Sequence, residues 1–164
     1  MDNDHLTPKK FISTVSIIHL YFGSFLVGFI AVLSWIHWEK WTYDLESLDF
    51  VFPFLVPVLA VTGVIAGNLV FKTQLKALDA ENDLKARLSG YQTAVLIKYA
   101  FIQAPALLGI VAAMKSVNVV YLIIAGLLMI YFIFQRPTRD KIERDLNLTG
   151  ELKKQFKKQT GRMN

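Results

Sequence analysis

Four stretches without a single Asp, Glu, Lys or Arg constrain this chain more than any other feature. They cover residues 11–37, 50–71, 99–114 and 116–135, with lengths of 27, 22, 16 and 20. Together they make up about half of the 164 residues. A soluble domain of this size alternates polar and apolar faces, and leaves no room for such runs. The chain is 54% hydrophobic and 19% charged, with the charges confined almost entirely to the connecting segments. That distribution excludes a disordered chain and a soluble fold, and points to an integral membrane protein.

A bilayer core about 30 Å thick needs roughly 20 helical residues. Three of the runs reach that length, and the third does so when extended back through Lys98 to Ala94. The sequence therefore predicts four spans, at about 11–37, 50–71, 94–114 and 116–135. None alternates with period two, and backbone groups in lipid must be bonded within their own segment. The expected fold class is all-α, a four-helix transmembrane bundle over residues 1–136 with a basic cytoplasmic tail at 137–164.

The Lys and Arg distribution sets the orientation. Lys9 and Lys10, four residues of the 72–90 loop and nine from Arg136 onward lie on one side, against Lys40 and Lys115 on the other. Both termini are thus expected in the cytoplasm. Trp35, Trp38 and Trp41 gather at the opposite boundary, beside an acidic loop carrying Glu39, Asp44, Glu46 and Asp49. Tryptophan favours the headgroup level, so this marks the outer interface independently of charge. The first span reads as a retained signal anchor, because no small-residue cleavage site follows its long apolar run. The chain has no cysteine, which removes disulfides, thiol catalysis, palmitoylation and iron–sulfur clusters from consideration. The net charge of +5 and pI near 9.4 reside in the cytoplasmic segments. No basic patch is interleaved with aromatics, so no nucleic acid partner is expected.

Membrane helices associate through small residues that let backbones approach. Gly63 and Gly67 form a G-x-x-x-G in the second span, and Pro105, Gly109 and Ala113 repeat every four residues in the third. These positions are the expected helix-packing sites, within one chain or between copies. They make spans two and three central and leave span four facing lipid. Pro105 cannot donate to the carbonyl of Phe101, so a kink is expected there, serving packing or freeing that carbonyl for a ligand. The 72–90 loop should be a solvated helix, with Glu81–Lys85 and Asp83–Arg87 as i,i+4 pairs and Gly90 as its terminator.

Ionisable groups within a bilayer are functional candidates by default. His19 and Lys98 are the two here, and Asn68 and Gln103 add neutral polarity. These four make up the candidate intramembrane polar site. His19, Asn68 and Lys98 fall in the cytoplasmic half, where a shared electropositive pocket would suit an anion or lipid headgroup. The plainer reading makes His19 a neutral imidazole bonded to a neighbouring span and Lys98 a snorkelling anchor. Gln103 points elsewhere on its helix and is expected to bond between helices. The spans contain no carboxylate, which argues against proton translocation of the rotary proteolipid kind. Metal-ligand spacing, a phosphate loop and a nucleophile elbow are all missing. No enzyme, metal site or cofactor is expected.

The tail opens with a break at Pro137 and places Thr149 as a helix cap. Lys153, Lys154, Lys157 and Lys158 then form a basic cluster beside the apolar edge of Leu152 and Phe156. Such a cluster is a candidate site for anionic lipid headgroups, or alternatively a solvated tail or a protein dock.

Tyr91-Gln92-Thr93-Ala94, Ala104-Pro105-Ala106-Leu107 and the stretch from Arg136-Pro137-Thr138-Arg139 to Leu146 resemble a group of uncharacterised small four-span bacterial membrane proteins. These stretches cover under a sixth of the chain. The resemblance implies a bacterial inner membrane location and a multi-pass architecture. It carries no activity and no functional residue. The expectation is a non-enzymatic structural or accessory subunit of a membrane assembly, with other membrane subunits or further copies of itself as partners. The alternative is a small homo-oligomeric channel or transporter built around the polar pocket.

Overall fold

Six helices follow one another through the described residues (7–36, 39–41 and 51–161) of this computed structural model. They are α1 (Pro8–Ile36), α2 (Phe52–Leu78), α3 (Leu84–Ser116), α4 (Val119–Phe134), α5 (Arg139–Asp145) and α6 (Gly150–Thr160). Three of them, α1, α2 and α3, are long and apolar enough to cross a membrane. A fourth crossing is reached only if α4 and α5 are taken together, and their axes bend by 84° at Pro137. Trp38 and the acidic positions Asp44, Glu46 and Asp49 lie outside the described residues.

The spine of the fold is α3. It buries residues along its whole length, from Leu84 through Tyr91, Tyr99 and Ile110 to Ala113. By contrast α2 buries only Val56, Ala60, Gly67 and Phe71, so it lies on the spine by one face. The fourth span is not the outermost, as its single Ala125-Gly126 pair led us to expect. Over half the length of α2, α4 buries Tyr121, Leu122, Ala125, Leu128, Met129 and Phe132. Large side chains, Tyr121 and Phe132 together with Leu122, Leu128 and Met129, supply most of that burial, and a rule that counts only small residues overlooks them.

Small residues do govern the α2–α3 seam. A Cβ on Gly63 would sit 2.6 Å from the Phe101 carbonyl oxygen and 3.1 Å from Pro105 Cγ. One on Gly67 would sit 3.0 Å from Phe101 Cβ. Pro105 has no N–H, so the Phe101 carbonyl lacks its helical donor. Gly63 admits that carbonyl against the α2 backbone, which occupies it within the chain. Helix α3 runs on through Pro105 without interruption. Gly109 serves the other side of the spine, where a Cβ would lie 3.2 Å from the Tyr121 carbonyl and 3.5 Å from Ala125 Cβ. All four packing positions therefore act within one chain.

The hairpin between α2 and α3 differs from its expectation in three ways. The helix of 72–90 is two helix ends joined by a turn at 79–83. Gly90 does not terminate it; it lies inside α3, where a Cβ would collide with the Leu78 side chain across the hairpin. A local reading scores glycine as a breaker, whereas here the missing Cβ makes room for leucine. The two i,i+4 pairs are also absent. Glu81 precedes the helix, and Asp83 caps it by accepting from the Ala86 N–H at 3.2 Å. Arg87 is only 8% exposed and donates to three carbonyls: Glu81 at 2.6 Å, Asp79 at 2.9 Å and Leu146 at 3.2 Å.

The last of those carbonyls ends α5, so Arg87 fastens the segment after Pro137 to the spine. Tyr91 adds a bond from its hydroxyl to Asp145 Oδ2 at 3.3 Å. Thr138 caps α5 by accepting from the Lys141 N–H at 3.3 Å. Ile142, Leu146, Leu148 and Phe156 are buried with the residues of the bundle. Arg139 donates to the Thr160 carbonyl at 3.0 Å, and α6 rests against α1 and α3. Residues 139–160 are thus packed onto the bundle rather than trailing from it.

Candidate functional site

His19, Asn68 and Lys98 each bond to a neighbouring helix in the half of the molecule where α1 begins and α4 ends. His19 projects from α1 towards α3 and shares a 2.8 Å hydrogen bond between Nδ1 and the Tyr99 hydroxyl. Its ring stacks on Phe132 of α4, with centroids 4.4 Å apart and planes 9° from parallel. Tyr99 meets the same Phe132 edge-on at 4.7 Å. Three helices therefore converge on one imidazole, which is 8% exposed. A buried imidazole needs a partner for its nitrogen, and an aromatic face shields the rest.

Lys98 is one residue along α3 and is 7% exposed. Its Nζ donates to Gln135 Oε1 at 2.8 Å and lies 4.8 Å over the Phe71 ring. It is therefore inserted between helices rather than extended to the surface. The same Gln135 oxygen accepts from Lys141 Nζ at 3.3 Å, and the Gln135 carbonyl accepts from it at 3.4 Å. One neutral amide thus holds two ammonium groups. Burial lowers the pKa of Lys141, on α5 beyond the bend, while the Asp145 carboxylate opposes that shift.

Asn68 takes a third route. Its Nδ2 donates to the Tyr131 hydroxyl on α4 at 2.8 Å and to the Val64 carbonyl on its own helix at 2.9 Å. His19, Asn68 and Lys98 therefore make separate bonds to Tyr99, Tyr131 and Gln135 instead of lining one pocket. Gln103 is 7% exposed, and its Nε2 finds no hydrogen-bond partner among the described residues. The interhelical bond expected of that amide group is not formed.

Sequence reasoning named the intramembrane lysine and missed its acceptor. The signal was available in position: Gln135 closes the fourth charge-free run at the same end of the bundle at which Lys98 precedes the third. Tyr99 and Tyr131 carried no such mark, since tyrosine in an apolar run reads as bulk.

Two surface depressions flank this core. One, of about 760 Å³, lies between α1 and α4, with His19 and Phe132 in its wall and Arg136 at its end. Lys98, Asn68 and Gln103 do not line it. The other, of about 450 Å³, lies on the outer side of the α2–α3 seam, against Thr62, Gly63, Ala66, Ala100, Ala104 and Pro105.

The basic cluster of α6 is divided by its own packing. Phe156 is buried and Leu152 half-buried, so the apolar edge meant for a membrane surface is spent on protein. Lys153 pairs with Glu143 at 2.7 Å. Lys154 and Lys158 are exposed and Lys157 is half-buried. A third depression, of about 650 Å³, separates α5 from α6 and mixes Asp140 and Glu143 with Arg144, Lys153 and Lys157. Its charges largely offset one another. No group of three or more His, Asp or Glu side chains among the described residues is placed to hold a metal ion.

Compared with protein-family models, curated proteins and solved structures, the chain matches none.

Proposed function

We propose that this chain is a non-enzymatic accessory subunit of a bacterial inner-membrane assembly, crossing the bilayer four times with both termini in the cytoplasm. Helix α4 covers about 24 Å at the helical rise. The linking residues Val117 and Asn118 before it and its cap Gln135 bring the segment close to the thickness of a bilayer core, so that α4 crosses without α5 and the bend after it turns α5 along the surface. The basic residues of both termini and of the helix ends that flank the α2–α3 turn (Lys72, Lys76, Lys85 and Arg87) then share one side.

The observation that carries the reading is the groove on the outer side of the α2–α3 seam. Ala100 and Ala104 stand exposed four residues apart on α3, with Thr62 and Ala66 opposite them on α2. Closely spaced small residues are how one membrane helix seats against another. The inward-facing small residues already serve the chain's own packing, so this second set is left for a helix of a partner subunit. Within the bundle, His19, Asn68 and Lys98 are engaged with side chains of neighbouring helices, which supports a structural role for them.

Native mass spectrometry of the protein gently extracted from its own membrane tests the proposal. The expected result is a complex with other subunits that dissociates in Ala104→Leu, while the variant keeps its melting temperature. A homo-oligomer would replace this reading with the channel one, and a bare monomer would overturn it.

A further inference from the structure

We infer that the groove between α1 and α4 is a binding site for one anionic phospholipid, with its phosphate at Arg136 and an acyl chain along the helices. The inference rests on the four-span reading above but concerns a different face of the molecule. Ile17, Leu20, Val27 and Ile133 give the groove an apolar lining. From Ser13 to Gly28 it follows α1 for about 22 Å at 1.5 Å per residue. One leaflet of a bilayer core is about 15 Å deep, so an acyl chain fits within that length.

The headgroup end has the complementary chemistry. Arg136 lines the groove and is exposed; its backbone N–H donates to the Ile133 carbonyl at 3.3 Å, while its guanidinium makes no hydrogen bond or ion pair with any described residue. Its planar guanidinium can grip a phosphate through two N–H groups at once. Ser13 and Ser16 line the same end and carry hydroxyl donors. Lys9 continues the Ser13 stripe one turn towards the N-terminus and is exposed. No carboxylate lines the groove. A basic mouth at the cytoplasmic end of an interhelical groove is the arrangement that retains anionic lipid there. The wall is fixed by the stacked His19 and Phe132 rings, so the cleft is preformed. Gly23 opposes Phe132, where a Cβ would lie 3.6 Å from Cε1. At Gly28 nothing lies within 4 Å of a built Cβ, and the groove stays open.

The test uses the full chain purified in detergent and offered equal amounts of phosphatidylglycerol and phosphatidylcholine with identical chains. Native mass spectrometry should find one phosphatidylglycerol retained per chain in preference to phosphatidylcholine. In Arg136→Gln that preference should fall about tenfold or more, the effect of losing charge-assisted hydrogen bonds. In Gly28→Leu retention of both lipids should fall, because the new side chain fills the groove. Neither variant should lower the melting temperature, since neither position packs against the core. A quadruple change of Lys153, Lys154, Lys157 and Lys158 to Gln should leave the retained lipid in place. If lipid is lost in that variant, or if Arg136→Gln retains phosphatidylglycerol like the wild type, the site is overturned. A chain that remained dispersed without detergent would overturn the four-span reading instead.

Discussion

Single side chains here act through what they exclude as much as through what they touch. Gly63 has no function of its own beyond leaving space for the carbonyl that Pro105 frees, 2.6 Å from where a Cβ would be. A backbone oxygen cannot swing aside as the end of a flexible side chain can. Gly63→Ala should therefore separate α2 from α3 and cost about 1–3 kcal/mol, the usual penalty of overpacking. Gly28→Ala, with nothing within 4 Å, should instead be neutral or gain up to about 1 kcal/mol from helix propensity. Thermal unfolding of both variants in the same detergent compares them directly; equal effects would mean that the seam is not tightly closed. Arg87 is the opposite case, a residue valued for what it holds. Arg87→Leu keeps the bulk but leaves the carbonyls of Asp79, Glu81 and Leu146 without their donor. The expected loss is about 2 kcal/mol or more, with water recovering part of the bonding. Lys85→Ala, at an exposed position two residues away, should stay within about 0.5 kcal/mol of the wild type.

At the scale of elements, the decision that matters is whether α5 and α6 belong to the bundle. Their charge favours solvent, while their burial favours attachment, and Phe156 settles which dominates. It is 1% exposed, so Phe156→Ala should remove about 3 kcal/mol through lost burial and the cavity left behind. Lys154→Ala on the opposite face should change stability by less than about 0.5 kcal/mol. Were α6 a loose tail lying on lipid, both changes would be silent in an unfolding experiment. This element also shows where the sequence was legible and where it was not. Leu152 and Phe156, one turn apart, announced an apolar edge, but an edge does not name the surface it will meet. The long helices were legible because absence of charge over 20 residues has one physical meaning. The α2–α3 seam was legible at Gly63 and Gly67 because small residues in apolar helices mark close approach. Gly90 and Arg87 were misread because both were judged against neighbours within four residues. Their actual partners, Leu78 and Leu146, come near only once the hairpin has formed and α5 has folded back. The candidate polar site was legible residue by residue, and its pairing was not, since acceptors such as Tyr99, Tyr131 and Gln135 look like ordinary apolar or terminal positions.

For the whole molecule, the orientation proposed from the charge asymmetry can be measured with little disturbance. The chain contains no cysteine, so a single introduced thiol is the only one that a maleimide can label. Lys115 lies at the end of α3, Lys85 at its beginning, and Lys158 in α6; all three are exposed. None of the three makes a side-chain bond that the fold depends on, so each should tolerate cysteine with less than about 0.5 kcal/mol of change. A helix of 33 residues extends about 50 Å, more than a bilayer core, so in the proposed topology its two ends emerge on opposite sides. In intact cells a membrane-impermeant maleimide should label Lys115→Cys and leave Lys85→Cys and Lys158→Cys untouched. After the membrane is opened, all three should react. Labelling of Lys85→Cys and Lys158→Cys before opening, with Lys115→Cys protected, would invert the orientation. It would also place Arg136 and the mouth of the α1–α4 groove at the outer leaflet. Labelling of Lys85→Cys and Lys158→Cys from opposite sides would mean that α4 does not cross. In that case Pro137 would turn a helix that enters and leaves by the same face, and the 84° bend would mark a re-entrant segment rather than the end of a fourth span.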